Sequence, residues 1–216
     1  MSDAVFAQAI GVCAALLLLS AVLLVWRRAQ VTALPLLSLQ GLALAGIVAV
    51  IAIKEGSPEL LGIAALVLLF KAIAFPLALA RSGRGEYGGP PLINTATSLI
   101  AMAALTALAY AVSAPLSVLG TGPTIQAVPV GIALVLFGFL LLVTGRHAIA
   151  QLIGFLVIDN GTATVAFLSS GGVPIIVELG IFLDVLLVIL ILYVLTGRIR
   201  DEYGDADLDD LTELHD

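Results

Sequence analysis

The sequence predicts an all-α, polytopic membrane protein of about seven transmembrane helices, with the N-terminus outside and the C-terminus in the cytoplasm. Three observations lead there. Of the 216 residues, 61% are hydrophobic and only 11% charged, more apolar surface than one soluble core can hide. The apolar residues fall in seven runs, each near the ~20 residues that span a hydrocarbon core. The cations between those runs lie almost all on one side.

The runs are 4–26, 33–53, 59–80, 92–114, 124–144, 147–168 and 174–195. Backbone groups in lipid must bond within their own segment, so runs of this length are helices. Arg27-Arg28 ends the first, with Trp26 placed as an interfacial anchor. The stretch from Lys54 to Pro58 separates the second and third, and that from Arg81 to Pro91 the third and fourth. Pro115 to Pro123 is a polar, glycine-containing loop, and Gly171-Gly172 a tight turn before the last run. Pro76 and Pro129 are expected to kink their helices, and Asn160-Gly161 to distort the sixth. Met1-Ser2-Asp3 has no basic n-region, so the first run is expected to be a retained helix. With the N-terminus outside, Arg27, Arg28, Arg81, Arg84, Arg146, Arg198 and Arg200 fall inside and only Lys54 outside, as the positive-inside rule requires.

The net charge of −6 belongs to the end of the chain. Eight of the fifteen acids follow Arg200 with no Lys or Arg among them. This tail, 201–216, is expected to be a solvated cytoplasmic segment or a docking strip for a basic cytoplasmic subunit. Cys13 is the only cysteine and stands in an apolar run, where it reads as a packing residue. No phosphate-binding glycine loop, no Cys/His ligand cluster and no Ser/His/Asp constellation occurs, so neither a catalytic site nor a cofactor or metal is expected in this chain. No nucleic-acid partner is expected either.

Ionisable residues inside apolar spans carry the functional signal. Lys71 interrupts the third span, Asp159 the sixth, and Glu178 and Asp184 the seventh. Each costs ~2.5–3.5 kcal/mol at a helix centre even on a lenient scale, so each must face protein or water. At 1.5 Å per residue, Lys71, Asp159 and Asp184 come within roughly 3–5 Å of one depth near the midplane, with Glu178 about 9 Å above Asp184. Lys71 can pair with Asp159 or Asp184 simply to neutralise both. Together the four also make a polar track across the bilayer, with His147 at the cytoplasmic edge as a candidate proton relay.

The last third resembles a known family. Arg146-His147-Ala148-Ile149-Ala150-Gln151-Leu152-Ile153-Gly154-Phe155-Leu156-Val157-Ile158-Asp159-Asn160-Gly161, followed by Val177-Glu178-Leu179-Gly180-Ile181-Phe182-Leu183-Asp184-Val185-Leu186, looks like hydrogenase-4 component E. That is a membrane subunit of complex-I-like hydrogenases. Its last three helices resemble the K subunit of complex I and the C subunit of multi-subunit cation/proton antiporters. The match is clearest over 125–200, and the first four spans agree in number and character, including the lysine in the third. The resemblance implies a four-helix segment at 1–123, a K-like three-helix segment at 124–200 and the acidic tail. It further implies a place beside a large antiporter-like subunit in the inner membrane, on a proton path. In the K subunit each of the last two helices carries a buried glutamate. Asp184 matches the second, while the first falls on Leu156, with Asp159 about one turn further along. Two other expectations share this fold or localisation: a subunit of a standalone cation/proton antiporter, or a membrane scaffold whose charges only hold helices together.

Overall fold

The computed structural model describes residues 1–27, 30–81, 93–120, 122–145 and 148–170. All regular structure among them is helical: α1 (Asp3–Arg27), α2 (Gln30–Glu55), α3 (Pro58–Val67), a π-helical segment (Leu68–Ala74), α4 (Phe75–Arg81), α5 (Thr95–Ser113), a 3-10 turn (Ala114–Leu119), α6 (Pro123–Thr144) and α7 (Ala148–Ser170). Six membrane-length spans result, because α3, the π segment and α4 run on as one. The expected seventh span, 174–195, and the acidic tail lie outside the described residues.

Local chemistry sets the boundaries. Gly56 adopts φ +69°, a left-handed conformation that turns α2 into α3. Ser57 then caps α3, its hydroxyl accepting from the Leu60 amide at 3.3 Å, and Pro58 takes the first-turn position, where no N–H is needed. The Asn94 side chain caps α5 by accepting from the Thr97 amide at 2.7 Å. Pro123 opens α6. Hydroxyls within the spans bond back to their own helix: Thr106 to Met102, Ser113 to Ala109, Thr144 to Leu140 and Thr164 to Asn160. No hydroxyl among these is left to face hydrocarbon without an acceptor.

Each helix divides into a lipid-facing and a packed stripe. On α1, Val5, Val12, Leu19 and Trp26 are exposed at intervals of seven, while Ile10, Leu17 and Leu24 repeat the same interval buried. A seven-residue period keeps one face on a neighbouring helix. That neighbour is α2, and α1 also packs on α6; α2 in turn touches α3, the π segment and α7. Cys13 faces Gly46 across the α1/α2 contact, in a packing position. At the open end of this hairpin Lys54 forms an ion pair with Asp3 and lies 5.7 Å from the Phe6 ring centroid.

α6 and α7 form the most extensive helix contact among the described residues. A Cβ on Gly138 would lie 2.6 Å from the Ile158 amide nitrogen and 2.7 Å from the Gly154 carbonyl oxygen. A Cβ on Gly161 would lie 2.6 Å from the Val135 nitrogen and 2.8 Å from the Gly131 oxygen. The two helices therefore meet backbone to backbone along Gly131, Gly138, Gly154 and Gly161. In lipid, where burial of apolar surface drives little helix association, such close approach is a main source of packing energy.

One expectation about helix distortion is corrected. Asn160-Gly161 does not break its helix; α7 is continuous from Ala148 to Ser170, and Gly161 serves the contact with α6. The distortion is in the third span, where Leu68–Ala74 is π-helical and ends immediately before the Phe75-Pro76 pair, with the Phe75 amide donating to the Phe70 carbonyl five residues back. Proline has no N–H and its ring crowds the carbonyl four residues earlier, here that of Ala72. Widening the preceding turn accommodates the ring without breaking the span.

A buried polar junction of three helices

Lys71 sits at the centre of the π segment with 3% of its surface exposed. Its Nζ donates to Asp159 Oδ2 on α7, forming a buried ion pair between the third and sixth spans. Asp159 is less enclosed, with 14% of its side chain exposed. Losing one partner of such a pair costs about 3–5 kcal/mol, because the other charge is then stranded out of water.

The π segment reaches this position by pressing its backbone onto α2. A Cβ on Gly41 would lie 2.4 Å from the Lys71 carbonyl carbon and 2.5 Å from the Ala72 nitrogen, closer than any side chain tolerates. Glycine at 41 is thus what lets Lys71 approach α2 while its ammonium reaches α7.

A second polar contact closes the triangle. Gln40, beside Gly41, is fully buried, and its Oε1 accepts from Asn160 Nδ2, next to Asp159, at 3.0 Å. The other half of the Gln40 amide, Nε2, is buried with no hydrogen-bond partner among the described residues. An orphaned buried donor costs about 1–3 kcal/mol. Three helical elements are joined pairwise at one level: α2 to the π segment through Gly41, the π segment to α7 through Lys71–Asp159, and α7 to α2 through Asn160–Gln40. Such an arrangement holds a charge pair at the junction of three helical elements. Among the described residues no three His, Cys, Asp or Glu side chains gather as metal ligands.

Of the candidate residues read from the sequence, the structure brings Lys71 and Asp159 together. Glu178, Asp184 and His147 lie outside the described residues. Sequence reasoning passed over Gln40, Gly41 and the partner role of Asn160. Gln40-Gly41 inside an apolar run was the available signal: an uncharged amide in hydrocarbon still needs partners, and a glycine beside it offers close approach.

The chain is 44% identical over 220 residues to "Uncharacterized protein Rv0085" of Mycobacterium tuberculosis, covering 100% of both chains. It is 26% identical over 179 residues to hydrogenase-4 component E of Escherichia coli K12, covering 81% of this chain and 82% of that one. Hydrogenase-4 component E of Shigella flexneri matches to the same extent. No protein-family profile and no solved structure matches. With six membrane-length helices among the described residues and full-length similarity to the mycobacterial protein, the chain is a multi-pass membrane protein that belongs to the family of Rv0085 and is distantly homologous to hydrogenase-4 component E.

Proposed function

We propose that this chain is a membrane subunit of a complex-I-like assembly, and that Lys71 and Asp159 form one station of a proton-translocating or charge-coupling path within it. The distant homology to hydrogenase-4 component E supports the first part. The observation that carries the second is the buried Lys71–Asp159 pair, set in a π-helical turn between two spans. A proton delivered to Asp159 abolishes its attraction for the ammonium, and a proton leaving Lys71 does the same from the other side. Either event loosens the contact between the third and sixth spans, so proton occupancy and helix packing are linked. Asp184, Glu178 and His147 continue the path in this reading, beside a large antiporter-like subunit.

The rival is a scaffold in which the same pair only holds helices together. The two differ in what Asp159→Asn does, since asparagine keeps the shape and can still accept from Lys71 but cannot titrate. In vesicles containing the assembled complex, with translocation normalised to subunit content, Asp159→Asn is expected to abolish proton movement while assembly persists. Asp159→Glu is expected to retain more translocation than Asp159→Asn because it restores the carboxylate. Normal translocation in Asp159→Asn would leave the scaffold reading. A standalone cation/proton antiporter would use the same path with different neighbours, and the subunits that co-purify in mild detergent distinguish it.

A further inference from the structure

We infer that Gln40 and Asn160 are positioning residues for the Lys71–Asp159 station: a neutral amide pair that fixes α7 against α2, and thereby holds the Asp159 carboxylate in reach of Lys71. The inference rests on the function proposed above and extends it to two uncharged residues.

The amide pair stands one residue away from each of the contacts that build the station. Gln40 precedes Gly41, whose backbone meets that of Lys71, and Asn160 follows Asp159. Sliding α7 along α2 by one turn would break the Asn160–Gln40 bond and carry Asp159 about 5 Å from its present height. The glycine seam joins α7 to α6, so the register of α7 on α2 needs a determinant of its own, and a buried amide bond is satisfied at only one register. The unpartnered Gln40 Nε2 argues the same way. Were this position only packing, methionine would fill nearly the same length and leave no orphaned donor. Keeping an amide here sacrifices stability for a defined register.

The test exploits that difference. Replacing both partners at once, Gln40→Met with Asn160→Leu, removes the bond and the orphan together and keeps the side chains close to their present size, so folding and assembly should be unimpaired. Proton translocation per assembled complex should nevertheless fall by roughly fivefold or more, the scale of one lost positioning hydrogen bond. The exchanged pair, Gln40→Asn with Asn160→Gln, preserves the summed length and should recover most of the translocation. Unchanged translocation in Gln40→Met, Asn160→Leu would overturn the inference, provided Asp159→Asn is defective in the same experiment. Normal translocation in Asp159→Asn itself would instead remove the proposed station, and the positioning role with it.

Discussion

The bundle contains two close helix contacts built on opposite principles, and α7 takes part in both. Along α6, Gly154 and Gly161 meet Gly138 and Gly131 with no polar side chain between the backbones. On its other side the same helix presents Asp159 and Asn160 to Lys71 and Gln40. The first contact is satisfied in one state only, since two backbones pressed together have nowhere else to go. The second is made by side chains, an ion pair beside a π turn and an amide pair with one donor unpartnered among the described residues. One face of α7 is thus fixed by backbone contact and the other by side-chain partners.

The comparison can be broken first at the polar side. Asp159→Leu takes away the carboxylate on which Lys71 rests and should destabilise the subunit by about 3–5 kcal/mol, seen as loss of the assembled complex on thermal unfolding in mild detergent. Lys71→Met combined with Asp159→Leu should recover most of that stability without recovering translocation. Full stability in the Asp159→Leu single variant would mean the pair does little for the fold.

At the glycine seam, Gly138→Ala or Gly161→Ala should cost about 1–3 kcal/mol through overpacking, by the same thermal measurement. The complexes that do form should translocate normally, since the seam holds no titratable group. Gly41→Ala sharpens the contrast. Its stability cost should be similar, about 1–3 kcal/mol, but per-complex translocation should also drop, because the added methyl pushes the Lys71 backbone away from α2. Indistinguishable behaviour of Gly41→Ala and Gly138→Ala would erase the distinction between the two contacts. The smallest effect belongs to the Asp3–Lys54 pair at the exposed end of the α1/α2 hairpin. Asp3→Asn should leave the unfolding temperature unchanged within error and activity intact, because water screens and replaces that interaction.

How much of this could be read from the chain follows from what each feature costs. Six spans were legible because crossing a bilayer demands long apolar runs, and their ends because glycine, proline and arginine interrupt them. Lys71 and Asp159 stood out because a charge in hydrocarbon is expensive, and their matched depth pointed to a common level. Gln40 and Asn160 escaped because an amide costs less and resembles any polar residue that bonds to its own helix. The π segment left only an indirect mark in Pro76, which fixed that something must yield nearby without saying which turn. The reverse error at Asn160-Gly161 has the same root: helix propensity disfavours the pair, but contact with α6 outweighs propensity when the glycine is what permits the contact. The seven-residue spacing of Gly131 and Gly138, and of Gly154 and Gly161, was visible, yet only the fold says that the two pairs face each other.

The Lys71–Asp159 pair also has a history within each molecule's synthesis. Its partners are separated by 88 residues of chain, whereas α6 and α7 follow each other directly in sequence and pack together. At roughly 5–20 residues per second, the ribosome delivers the lysine on the order of 4–18 s before the aspartate that receives it. Throughout that interval the third span carries its lysine before Asp159 has been made. The arrival of α7, already clasped to α6, completes the pair. The ion pair between the third and sixth spans therefore forms only after the sixth span has followed the third into the bilayer.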